Sequence, residues 1–115
     1  MQKTEARQFF QNKRKALTQS ECLKLDDLLL IQFQKFNWGN VKCIGNFYPI
    51  DKHNEPNSIL LAKYLKHILP DISIAYPSIS QDGQGMEFFE ETEMFIENKW
   101  GIIEPLPIHK IGIDL

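Results

Sequence analysis

Cysteine is scarce in this chain: of 115 residues only Cys22 and Cys43 are thiols, with no C-x-x-C and no histidine at ligand spacing. That excludes the usual four-ligand structural zinc site and a disulfide framework. Two isolated thiols fit a reducing compartment. Charge of one sign is also lacking. The formal net charge is −2, so nothing points to a dominant polyanion-binding surface, and no nucleic-acid partner is expected. The longest apolar run, Leu28-Leu29-Leu30-Ile31, is far short of the ~20 residues that span a bilayer. The polar start, Met1-Gln2-Lys3-Thr4-Glu5, has no signal-peptide core. A soluble, cytoplasmic protein without membrane partners is expected.

Catalytic signatures are missing too. His53, His67 and His109 form no nucleophile constellation, and neither G-x-S-x-G nor a P-loop occurs. Gly83-Gln84-Gly85 is too short to claim a phosphate cradle. What is present is an ordinary globular balance, 43% hydrophobic and 24% charged, which argues against disorder. The length suits a single domain over 1–115. It also suffices for a core without staples.

Periodicity predicts a helix over 3–17 carrying Phe9, Phe10 and Leu17, and a second reaching about Phe36. Thr18-Gln19-Ser20-Glu21 between them has the form of a capping box. Trp38-Gly39-Asn40 supplies the stop. Residues 41–48 read as a strand, and Asn57 or Ser58 caps a third helix with Leu61, Ala62, Leu65 and Leu69 inward. Residues 72–76 read as a strand stopped by Pro77. Strand, helix, strand is a βαβ unit with parallel strands. A turn at 81–85, a strand at 86–90, a segment at 94–96 pairing back near it, and an extended stretch fixed by Pro105 and Pro107 follow. Ile111-Gly112-Ile113-Asp114-Leu115 has the look of the opening of another strand. The expected class is α/β: a three-layer, open, mostly parallel sheet with flanking helices, preceded by a helical hairpin.

In such sheets ligands bind outside the carboxyl ends of the strands. The loop after the first strand carries Tyr48, His53 and Glu55. There a carboxylate can accept hydrogen bonds from an amino-heterocycle and a tyrosine can wall it. The alternative is a solvated loop. Trp100 is either a ligand platform or packing, and Lys3, Arg7, Lys13, Arg14 and Lys15 are either a phosphate contact or a solvated helix face.

Several segments taken together carry a resemblance. They are Lys3-x-x-x-Arg7; Lys13-Arg14-Lys15-Ala16-Leu17-Thr18; Phe47-Tyr48-Pro49-Ile50 followed by Asn54-Glu55; Tyr76-Pro77; Met86-Glu87-Phe88; and Trp100-Gly101-Ile102-Ile103-Glu104-Pro105. Their order resembles that of 5-formyltetrahydrofolate cyclo-ligases (methenyltetrahydrofolate synthetases), and it runs through the whole chain. The resemblance implies a three-layer α/β enzyme that uses ATP with Mg2+ to convert 5-formyltetrahydrofolate into 5,10-methenyltetrahydrofolate. It also implies ATP-phosphate contacts at Lys3 and Arg7 and folate contacts at Tyr48, Glu55, Met86 and Trp100; it assigns this chain no metal ligand. The loop before Glu55 is slightly longer than in many relatives, which makes His53 a competitor for its role. Ser58 stands where many carry threonine. The family's Gly-rich G-x-G-x-G-x-Y-D segment, which cradles ATP phosphates, falls after residue 115. The resemblance therefore covers the N-terminal part of such an enzyme, with an unfinished sheet edge expected to favour self-association. The rival readings are a non-catalytic folate-binding module and a protein-interaction module.

Overall fold

A computed structural model describes residues 2–50 and 53–112. The chain divides into two units, one drawn from Met1–Asn37 and Pro49–Asn57, the other from Trp38–Tyr48 and Ser58–Leu115. In the first, α1 spans Lys3–Lys15 and α2 spans Gln19–Gln34. The helices are separate because Thr18 takes an extended backbone and caps α2. Its hydroxyl accepts from the Glu21 N–H at 3.1 Å, while the Glu21 carboxylate accepts from the Thr18 N–H at 3.0 Å. These reciprocal bonds hold Glu21 below the usual carboxylate range. The last turn of α1 holds Lys13, Arg14 and Lys15, cations suited to the negative end of a helix. Its terminal carbonyls are met from far along the chain, by Asn54. The Asn54 amide donates to the Arg14 and Leu17 carbonyls at 2.7 and 3.3 Å. Asn54 itself sits at φ 50, a left-handed conformation that asparagine tolerates better than most residues. A further bond, from the Asn57 N–H to Asp26 at 3.0 Å, ties the same loop to α2.

The second unit holds β1 (Cys43–Gly45), α3 (Ser58–Ile68), β2 (Ser73–Ile79), β3 (Met86–Glu90), β4 (Phe95–Glu97), β5 (Ile103–Pro105) and β6 (Lys110–Ile111). One sheet has the order β1-β2-β3-β6, and β4 and β5 form a second. The βαβ expectation holds: β1 and β2 run parallel, Cys43 opposite Ser73, with α3 as the crossover. Ala62 and Leu65 of α3 are buried, and so are Ile74, Ala75 and Tyr76 on both faces of β2, as a central strand requires.

The expected predominance of parallel pairing does not hold. Among the described strands β2–β3 and β3–β6 are antiparallel. The reason is the short link after β2, since a tight turn can join only antiparallel neighbours. In it Gly83 sits at φ 75. Asp82 accepts from the Ser80 hydroxyl at 2.6 Å and the Gln84 N–H at 2.9 Å.

Pro77 does not stop β2, which continues to Ile79. The register explains this. Alternate residues of β2 point their backbone groups toward β1, and the last of these that β1 serves is Ala75, whose carbonyl accepts from Asn46. Pro77 comes next on that side, where no partner strand continues and no N–H is needed. Ile79 follows, and its N–H donates to the Glu104 carboxylate at 2.7 Å.

The segment expected to pair back near β3 pairs instead with β5, Phe95 opposite Pro105. Of the last expected strand, 111–115, Ile111 belongs to β6, Gly112 lies after its end, and residues 113–115 lie outside the described residues. β1 and β6 share the four-stranded sheet, at its two ends. Among the described residues no helix is long and apolar enough to cross a membrane.

Candidate functional site

On α1, Lys3, Arg7 and Arg14 recur at helical spacing and line one hollow of about 430 Å³ together with Ala6, Phe10 and Gln11. Three cations and no carboxylate face this space, the electrostatics of an anion site. Arg14 is held in place, its Nε donating to the His53 carbonyl at 3.3 Å. A guanidinium has five N–H donors, so this bond leaves its fork able to engage an oxyanion.

Glu55 lies in the same unit, on the loop that Asn54 anchors. Its Oε1 accepts from the Ile50 N–H at 2.7 Å, which engages one carboxylate oxygen. With Arg14, Leu17, Cys22, Leu25, Asp26, Asn54 and Pro56 it lines a cleft of about 130 Å³. That is below the ~300 Å³ at which pockets for whole small ligands begin. His53, the competitor for Glu55, is engaged through its backbone: its N–H donates to Ile50 at 3.0 Å and its carbonyl accepts from Arg14.

The second unit has its own hollow, of about 410 Å³. Tyr48, Tyr76 and Phe95 form one wall, Ile59 and Ala62 another, and Lys63, Lys66 and Glu91 complete the lining. The rings pack as a cluster, Tyr76–Phe95 edge-on at 5.2 Å between centroids and Tyr48–Phe95 tilted at 5.4 Å. Tyr76 is buried, and its hydroxyl accepts from the Asn46 amide at 3.2 Å.

Burial raises the Tyr76 phenol above the ordinary value, against the lowering effect of the Asn46 bond, with Glu91 and Tyr48 adding to the rise. A raised folded-state pKa means that the neutral phenol's contribution to stability is complete below the unfolded tyrosine value of about 10. It is lost as pH climbs through the folded value. Denaturant midpoints measured from pH 8 upward are therefore expected to fall above about pH 10. Tyr76→Phe should flatten that fall, and an equally steep fall in the variant would contradict the assignment.

Met86 opens β3, opposite Ile79 and largely exposed, and it lines none of these three hollows. Trp100 lies against the β2–β3 turn, where a Cβ added at Gly83 would come within 3.3 Å of its ring. The Lys99 ammonium sits 4.6 Å from the indole centroid and donates to the Gln81 carbonyl at 2.8 Å. Trp100 is nonetheless 44% exposed.

The structure thus groups Lys3 with Arg7, and sets Glu55, Tyr48, Met86 and Trp100 each in different surroundings. Of the basic cluster Lys3, Arg7, Lys13, Arg14 and Lys15, the hollow takes Lys3, Arg7 and Arg14 and leaves Lys13 and Lys15 out of its lining. Sequence reasoning missed Tyr76, Phe95, Lys63 and Lys66, which meet only through tertiary packing. Among the described residues no group of three His, Cys, Asp or Glu could hold a metal ion.

No protein-family model matches the chain, and no curated protein matches it. Its fold is similar to the NMR structure of 5,10-methenyltetrahydrofolate synthetase from Aquifex aeolicus. The TM-score is 0.70 and the sequence identity 18%, with 96% of this chain and 55% of that chain covered. The chain therefore has the fold of a methenyltetrahydrofolate synthetase over somewhat more than half of that protein's length.

Proposed function

We propose that this chain is the substrate-holding part of a 5-formyltetrahydrofolate cyclo-ligase, acting in cytoplasmic one-carbon folate metabolism with ATP as second substrate. The observation that carries the reading is the fold likeness along 96% of the chain. Its support is the hollow on α1, where the expected phosphate residues Lys3 and Arg7 stand with Arg14. Tyr48, Glu55, Met86 and Trp100 belong to the folate side of the reading.

The chemistry needs a phosphate donor because a formamide oxygen is a poor leaving group. The formyl oxygen attacks the γ-phosphorus and ADP departs. N10 of the folate then attacks the activated carbon and gives up its proton, and phosphate leaves with the former formyl oxygen. Little covalent chemistry falls to the protein in such a sequence; positioning and charge neutralisation dominate. Lys3, Arg7 and Arg14 neutralise the phosphates. Among the described residues no group of three His, Cys, Asp or Glu could hold the Mg2+ expected with ATP.

Glu55 gives a sharp test of the folate side. Gln at this position keeps an acceptor for the Ile50 N–H but replaces the second carboxylate oxygen with a donor. Glu55→Gln should leave thermal stability nearly unchanged and weaken 5-formyltetrahydrofolate by about 2 kcal/mol, the scale of a lost charge-assisted hydrogen bond. An unchanged dissociation constant would remove Glu55 from the site.

The reaction itself is tested by following 5,10-methenyltetrahydrofolate absorbance with this chain, MgATP and 5-formyltetrahydrofolate. Product formed together with ADP supports the reading. Saturable folate binding without product would favour the second reading, a non-catalytic folate-binding module. Neither product nor binding would overturn both.

A further inference from the structure

Arg14 lines two hollows of the first unit, the basic one on α1 and the cleft that holds Glu55. Around it, hydrogen bonds cross in opposite senses between the end of α1 and the loop. The Arg14 Nε donates to the His53 carbonyl at 3.3 Å, and the Asn54 amide donates to the Arg14 carbonyl at 2.7 Å and the Leu17 carbonyl at 3.3 Å. The loop is closed on itself from His53 N–H to the Ile50 carbonyl at 3.0 Å and from Ile50 N–H to the Glu55 carboxylate at 2.7 Å. A continuous set of bonds thus runs from the phosphate residue Arg14, through Asn54 and its loop, to Glu55.

Capping alone does not call for this arrangement. A helix end is ordinarily satisfied locally, by a glycine just past the last turn, whereas Asn54 reaches it from 40 residues away. Asn54 also meets two demands at once. Its φ of 50 is a backbone that glycine and asparagine take most readily, and of these two only asparagine brings N–H donors.

We infer that Asn54 is a positioning residue for both substrates: it holds the Arg14 end of α1 against the Glu55 loop, so that the phosphate contact and the folate carboxylate keep one spacing. The inference rests on the folate reading, in which Arg14 meets phosphate and Glu55 meets folate. Asn54 itself touches neither ligand. Its contribution is to geometry, on which transfer between two bound substrates depends.

The test is calorimetric titration of the full chain, well below its melting temperature, with 5-formyltetrahydrofolate and with MgATP in separate runs. Asn54→Gly keeps the left-handed backbone and deletes the amide. Asn54→Asp keeps the shape and sets an acceptor against the two carbonyls. Each is expected to weaken both ligands about fivefold, the equivalent of one net hydrogen bond. Melting should fall in both variants because a cap is lost, so the deciding readout is a double-mutant cycle. In a Glu55→Gln background, Asn54→Gly should cost folate about twofold or less, because its effect runs through a carboxylate already removed. ATP should still weaken about fivefold there.

Unchanged affinities, weakening of one ligand alone, or a full folate loss added to that of Glu55→Gln would each overturn the inference while leaving the folate reading in place. Loss of the folded state in both variants would make Asn54 a structural cap and overturn it equally. If the native chain binds no folate, the folate reading falls and this inference falls with it.

Discussion

Glu104→Ala is expected to lower the unfolding free energy by about 3 kcal/mol, the largest stability loss we foresee from a single substitution. Glu104 is only 6% exposed, and three donors converge on its carboxylate. The Ile79 N–H lies at 2.7 Å, the Asn98 amide at 3.0 Å and the Ser78 hydroxyl at 3.3 Å. Together they join β2 to the β4–β5 pair on the side where β1 has ended. Alanine removes all three acceptor contacts at once. The Ile79 N–H, for which the carboxylate stands in place of a strand partner, loses its acceptor, and leaving a buried donor unsatisfied costs roughly 1–3 kcal/mol. Glu104→Gln keeps one carbonyl acceptor and should lose less. Urea or guanidinium midpoints of the three proteins provide the check; a loss below about 1 kcal/mol in the alanine variant would mean that water replaces the carboxylate there.

The second large effect is on nucleotide binding. Lys3→Ala combined with Arg7→Ala should raise the ATP dissociation constant about 100-fold, two charge-assisted phosphate contacts at about 1.5 kcal/mol each. Both residues line the α1 hollow and both are exposed, so stability and folate affinity should stay nearly as they were. Arg14 is a poorer choice for the test, because losing its bond to the His53 carbonyl would disturb the loop as well. The residual binding should weaken further with added salt, as expected for exposed charges. A change in ATP affinity of twofold or less would return the basic stripe to the plainer reading, a solvated helix face.

Elements governed by neighbouring residues were legible in the sequence. The capping box at Thr18 and Glu21 set the boundary of α2 within a residue of its observed start. Ser58 opens α3, whose inward residues Ala62 and Leu65 follow from periodicity. β3 begins and ends where its pattern does, Met86 to Glu90. What depended on distant partners was not legible. Pro77 marked an end to β2 only if a strand had to sit on both sides, and the open side became visible once the register with β1 was known. Ile103-Glu104-Pro105 read as an extended stretch, with nothing local to say that Glu104 would be buried as an acceptor for β2. Asn54, next to Glu55 in a segment that resembles folate enzymes, also caps α1 from 40 residues away. The basic residues of α1 were visible as a cluster, but their common hollow required the helix to be built. Lys63 and Lys66 carried no signal, since lysines at that spacing ordinarily form a helix's solvent face.

The central claim is that this chain binds 5-formyltetrahydrofolate, and calorimetric titration of that compound into the chain, with and without MgATP, tests it most directly. The account predicts saturable binding of one folate per chain, weakened in Glu55→Gln and indifferent to the loss of Lys3 and Arg7. No saturable heat under either condition, from a chain shown to be folded by its cooperative melting, would contradict it and leave the likeness to methenyltetrahydrofolate synthetase as one of fold alone.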